Sequence, residues 1–245
     1  LLLCAPSCRL TTPCHAGALR GQIIGGHEAK PHSHPYMAYL KLRMSACGGF
    51  LVAPDWVMTA AHCLGGAAST NHLSPAHRWG QWGPWAGLRS HIVFACTSHR
   101  PSPLSSTHSA HSPPLSQLTA KVKLNKYVRT IALPKTSSDL PTGTSCTIAG
   151  WGLIDEDERT SKLFETEVSI YSRRKCILFY PHLDNGMVCA GSFHEMKDSS
   201  QGDSGGPLVC NKVAQGVVSF GYDSPPGVYA RIANYLPWIK KVMKK

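Results

Sequence analysis

Gly202-Asp203-Ser204-Gly205-Gly206-Pro207 is the stretch on which the reading of this chain turns, with Thr59-Ala60-Ala61-His62-Cys63 as its upstream counterpart. Glycines on both sides of a serine let the backbone turn sharply and aim successive N–H groups at one point. Amide hydrolysis by serine needs such donors for the oxyanion, and a base within hydrogen-bond reach of the hydroxyl. His62 is the histidine with a setting of that kind. It lies more than half the chain before Ser204, so only a folded domain unites the two.

The bulk composition bounds what that domain is. With 245 residues, 42% hydrophobic and 16% charged, the chain suits one large globular domain or two small barrels sharing a core. Twenty-five basic against 14 acidic residues give a formal charge of +11. That balance serves solubility or attracts acidic partners such as sulfated glycans, heparin among them. The basic residues form no long run, Lys240-Lys241 and Lys244-Lys245 being short pairs, and nucleic acid is not expected as a partner. The ten cysteines, at 4, 8, 14, 47, 63, 96, 146, 176, 189 and 210, imply several disulfides and an oxidising compartment. No Cys-x-x-Cys spacing is present, and neither a metal nor a cofactor is expected. No apolar run reaches membrane-spanning length, and no Asn-x-Ser/Thr sequon occurs. Residues 1–22 read as a leader ending in Gly21-Gln22.

Short strands set off by Gly and Pro turns run through most of the remainder, the pattern of an all-β barrel design. Pro35–Leu42, Gly48–Val52 and Trp56–Thr59 read as strands, as do Gln117–Val122 and Val128–Pro134. Cys146–Gly152 opens a second set, with Val188–Ala190, Pro207–Cys210 and Gly216–Phe220 following. A helix is expected from Tyr235 to Lys245, with Asn234 as its cap and Pro237 in its first turn.

The two boxes together resemble the histidine and serine motifs of chymotrypsin-type serine proteases. Ile23-Ile24-Gly25-Gly26-His27-Glu28-Ala29-Lys30-Pro31-His32-Ser33, preceded by Gly21-Gln22, is similar to the granzyme and mast-cell chymase group. The resemblance covers Ile23 to about Leu64 and Gln117 to Lys245. It implies two six-stranded antiparallel β-barrels, about 23–120 and 121–245, with a C-terminal helix and the active site between them. It implies a monomeric endopeptidase, secreted or stored in granules, that acts on peptides or proteins. His62 would be the base and Ser204 the nucleophile, and the N–H groups of Gly202 and Ser204 the oxyanion donors. Ile23, freed by cleavage of a precursor, would pair its ammonium with Asp203. Asp198, six residues before Ser204, would floor the first specificity pocket and select Arg or Lys, with Ser219, Phe220, Gly221 and Gly227 around it. Phe220 stands where Trp is more usual. The implied disulfides are Cys47–Cys63, Cys146–Cys210 and Cys176–Cys189. Ser200 takes the place of a further cysteine of many relatives.

One part of the pattern is missing. No Asp or Glu occurs from Trp56 to Ser138, where the family carries the carboxylate that orients the histidine. Counting back from Gln117 puts Ser112 at that place, followed by two prolines that break a strand. Residues 65–116 are rich in Ser, His, Pro, Trp and Gly and read as frame-shifted or non-coding text spliced into a protease. Only His91–Cys96 within them has the look of a strand, and the first barrel is expected to be incomplete or disordered there. The histidines of this stretch (72, 77, 91, 99, 108 and 111) lack metal-ligand order. Without the carboxylate, strongly impaired activity is expected. The alternatives are a pseudoprotease that binds peptides or sulfated glycans, and a mis-spliced product.

Overall fold

The computed structural model describes residues 23, 25–41, 46–64, 96–99, 115–152, 161–192, 194–222 and 224–244. Its strands form two antiparallel sheets. The first contains β2 (Met37–Lys41), β3 (Ala46–Ala53), β4 (Trp56–Met58), β5 (Cys96–His99) and β6 (Leu115–Leu118), in the order β2-β3-β4-β6-β5. The second contains β1 (His27–Glu28), β7 (Ser145–Gly150), β8 (Phe164–Ile170), β9 (Met187–Gly191), β10 (Pro207–Cys210), β11 (Val213–Phe220) and β12 (Gly227–Arg231). Its order is β1-β8-β7-β10-β11-β12-β9, and an added β8–β9 pairing closes six of these strands into a barrel. A closed barrel leaves no unpaired edge. Among the described residues the first sheet has five strands and remains open.

Period-two patterning builds the closed barrel. In β8, Thr166, Val168 and Ile170 are buried while Glu167 faces out. Val168 and Ile170 meet Ile148, Leu208, Val218 and Tyr229 in the barrel interior. The first sheet packs its Phe50, Met58 and Leu115 into one cluster with Ile131, Val217 of β11 and Ile239 of the C-terminal helix. That shared cluster fixes one sheet against the other and so sets the geometry of the cleft between them.

Several expected elements shift. The strand placed at His91–Cys96 is found at Cys96–His99, where it pairs with β6, while 91–95 lie outside the described residues. The strand placed at Gln117–Val122 runs instead from Leu115, directly after Pro114, to Leu118. The Val122 N–H leaves the ladder for the Pro54 carbonyl at 2.8 Å. Val128–Pro134 is a connector: Ile131 donates to Leu51 of the first sheet at 3.0 Å, and Ala132 accepts from Ala214 of the second at 3.0 Å. Asn234 does not cap the last helix. A 3₁₀ turn, Ile232–Tyr235, leads straight into the helix Leu236–Met243, and Pro237 lies in its first turn.

Candidate active site

The first sheet supplies the histidine. Thr59, buried just past the end of β4, donates its hydroxyl to the Gly48 carbonyl at 2.8 Å. The chain then makes a 3₁₀ turn, Ala61–Leu64, which exposes His62 and turns Cys63 inward. A Cys47–Cys63 disulfide ties this turn to β3. The other two disulfides of the described residues join Cys146 to Cys210 and Cys176 to Cys189.

The second barrel supplies the serine on the loop before β10. Gly205 has φ +87°, and a Cβ there would lie 2.2 Å from Thr59 Oγ1 and 2.3 Å from the Gly48 oxygen. Only glycine lets the loop close on the first sheet. The Gly48 N–H donates to the Ser204 carbonyl at 2.8 Å, and Cys63 Sγ touches the same oxygen at 3.6 Å. A ring nitrogen of His62 lies within 4.8 Å of that sulfur. The fold thus brings His62 and Ser204, one from each sheet, to one place. Both sulfurs beside His62 are tied up in the disulfide and offer no thiolate to a metal.

The loop's amides divide into two groups. Those of Asp203, Gly205 and Gly206 donate to the carbonyls of Ser200, Val218 and Asp203. Those of Gly202 and Ser204 take no acceptor among the described residues. Gly202 has φ +100°. This leaves two donors flanking Asp203, the pattern an oxyanion requires.

Asp203 itself is buried at 1% exposure. Gly152 N–H donates to its Oδ1 at 2.8 Å, and the Ser200 N–H and hydroxyl donate to its Oδ2 at 2.8 and 3.0 Å. Burial pushes its pKa up to about 6 against these bonds. Gly150 makes the room: a Cβ there would stand 2.0 Å from Oδ1. Ile23 is buried in the same barrel, clustered with Ile148 and Val218. In the uncut chain its nitrogen is a peptide N–H, without charge.

Asp198 is likewise buried at 1% exposure. Its Oδ1 accepts the Ser199 N–H at 2.7 Å and the Ser199 hydroxyl at 3.4 Å. Fully buried Tyr229 lies beside this carboxylate, with its hydroxyl near enough to lower the Asp198 pKa. Burial pushes the Asp198 carboxyl up to about 7, opposed by the bonds from Ser199. A Cβ at Gly227 would lie 2.5 Å from Asp198 Oδ1, and one at Gly221 would lie 3.3 Å from Gly227 Cα. Two glycines therefore hold open the space in front of the carboxylate. Ser219 is buried nearby at the register shift in β11, and Phe220 is partly exposed. Tyr180 stacks on Tyr222, meets Phe220 edge-on, and donates to the Pro226 carbonyl at 2.9 Å.

Ser112 lies outside the described residues. The acids nearest to that stretch in sequence are engaged elsewhere: Asp55, at the far end of β4 from His62, faces Lys121 at 3.9 Å, and Asp139 pairs with Arg231 at 2.8 Å. Sequence reasoning missed Tyr229, Thr59 and the Gly150–Gly152 cradle. Tyr229 was within reach, because two residues after Gly227 on a strand is the same face.

The family model described as Trypsin matches residues 23–239. The chain belongs to the trypsin family. It is 39% identical to human cathepsin G over 235 residues, covering 93% of this chain and 90% of that protein. It is 41% identical to sheep mast cell protease 3 over 234 residues, with coverage of 92% and 90%. Human granzyme B is 39% identical over 241 residues, with 92% of each chain covered. The solved structure of neuropsin, a serine protease expressed in the limbic system of mouse brain, superposes with a TM-score of 0.70 at 31% identity. It covers 89% of this chain and 98% of that one. The trypsin-family chain is thus a relative of granule serine proteases, and its family acts on protein substrates. No helix among its described residues is long and apolar enough to cross a membrane.

Proposed function

We propose that this trypsin-family chain recognises peptides through an Arg or Lys side chain bound at Asp198, and hydrolyses the following bond slowly. The observation that carries the reading is the buried carboxylate of Asp198 behind two glycines. A buried carboxylate in such a slot favours a cation through a charge-assisted hydrogen bond. Ser204 would attack the carbonyl while His62 takes its proton, and the Gly202 and Ser204 N–H groups would hold the oxyanion. His62 would then return the proton to the leaving amine, and water would release the acyl group. Cleavage before Ile23 would create an ammonium that pairs with Asp203 and orders the loop.

Slow turnover follows from the acid-free stretch between Trp56 and Ser138. The sequence offers no carboxylate at the place where the family carries the one that steadies the imidazolium formed in the reaction. In the triad of this fold, neutralising that acid costs about 10⁴ in turnover. The same deficit favours a second reading, a pseudoprotease that holds peptides or sulfated glycans without cutting them. The formal charge of +11 supports the glycan arm. The disulfides and the mast cell protease and granzyme relatives support a secreted or granule-stored monomer.

Protein cut before Ile23 tests both. An aromatic amidine that binds, together with organophosphate labelling of Ser204 and slow arginyl-amide hydrolysis, supports the peptidase. Amidine binding without labelling supports the pseudoprotease, and absence of amidine binding rejects the Asp198 assignment.

A further inference from the structure

Ile177, Leu178 and Phe179 are consecutive, large, apolar and exposed, with Leu178 at 80%. Runs of this kind on a water-facing surface are costly unless something covers them. The turn that carries them is held rigidly. Cys176 on one side is fully buried and bonded to Cys189, and Tyr180 on the other is buried and bonded to the Pro226 carbonyl. The three side chains are therefore presented outward by a fixed frame.

The same turn is basic. The short helix Arg173–Cys176 precedes it, and no Asp or Glu occurs from Ser172 to Leu183. Arg173 is spent on the carbonyls of Asp184 and Met187, while Arg174 and Lys175 are exposed beside the apolar tip. Phe220 and Tyr222 extend the apolar surface through their contacts with Tyr180.

We propose that the 174–179 turn docks the protein on an anionic lipid surface. Ile177, Leu178 and Phe179 enter the headgroup–acyl boundary, and Arg174 and Lys175 contact acidic headgroups. Apolar side chains flanked by cations are the pattern of interfacial attachment. The exposure of Leu178 favours this over a bound peptide, because a residue lining a peptide groove is partly enclosed. Attachment here brings Phe220 and Tyr222 close to the membrane. The proposal is independent of turnover and of the Asp198 assignment.

Co-sedimentation of the full chain with phosphatidylserine/phosphatidylcholine vesicles, against phosphatidylcholine alone, tests it. Binding is expected to anionic vesicles and to fall steeply with salt. Replacing Arg174 and Lys175 together by Gln should weaken it about 25-fold, roughly fivefold per residue. The pair Leu178→Ser and Phe179→Ser should weaken it at least tenfold, and Leu178→Trp should tighten it, with thermal midpoints unchanged. Equal binding to neutral vesicles, indifference to the serine pair, or cross-linking of the turn to an apolar peptide in place of vesicle binding would overturn the proposal.

Discussion

Ionisation of Asp198 should govern the binding of any cationic ligand to this protein. Burial pushes its carboxyl up to about 7, although Ser199 supplies two hydrogen bonds to Oδ1. A guanidinium or amidine needs the ionised form. Below pH 7 each pH unit should therefore cost about tenfold in affinity, close to 1.4 kcal/mol. At pH 5 about 1% of the carboxylate is ionised, so the dissociation constant of an aromatic amidine should be about 100-fold weaker than its plateau above pH 8. Titration calorimetry from pH 5 to 9 measures this directly and needs no turnover. Asp198→Asn should flatten the curve at the weak end. A flat profile in the unaltered protein, or unchanged affinity in Asp198→Asn, would refute the reasoning. Stability moves with the opposite sign. Asp198 and Asp203 rise from 3.8 to about 7 and about 6 on folding, so the native state holds more protons than the unfolded chain between those values. Their contribution to stability is fully present below pH 4 and is lost as pH rises through 6 and 7.

Three further outcomes follow from the packing. Ser116→Ala should stabilise the fold by about 1 kcal/mol in denaturant titration, because the Ser116 hydroxyl is buried without a partner among the described residues. Gly205→Ala should abolish soluble folded protein or any amidine binding, since its Cβ has no room against Thr59 and Gly48. Replacing Cys47 and Cys63 together by Ser should lower stability by about 3 kcal/mol, as expected for a loop of this length, and loosen the His62 turn. Unchanged melting of that double variant would show that the turn is held by Thr59 alone.

The closed barrel was legible because its strands combine period-two patterning with Gly and Pro punctuation, as in the runs around Cys146, Pro207 and Gly216. The site was legible where chemistry is local in sequence, as in the six residues from Gly202 to Pro207. Contacts made across the sheets were not. Nothing near Gly205 in sequence announces that Thr59 and Gly48 will press on it, and nothing near Ser200 shows that its hydroxyl serves Asp203. The place of Ser116 between β4 and β5 required the register of three strands. The connector at 128–134 misled because its apolar residues serve two sheets without joining either ladder. Asn234 misled for a related reason: the helix grows from a preceding 3₁₀ turn and needs no side-chain cap.

Steady-state hydrolysis of an arginyl amide, by purified chain cut before Ile23 and carrying no other change, bears most closely on the idea that the acid-free stretch from Trp56 to Ser138 makes turnover slow. A turnover near 10⁻³ s⁻¹, about 10⁴ below an ordinary enzyme's ~10 s⁻¹, is the predicted result. A rate of ~1 s⁻¹ or faster, lost in Ser204→Ala, would contradict it and require a carboxylate to stand against the His62 imidazole.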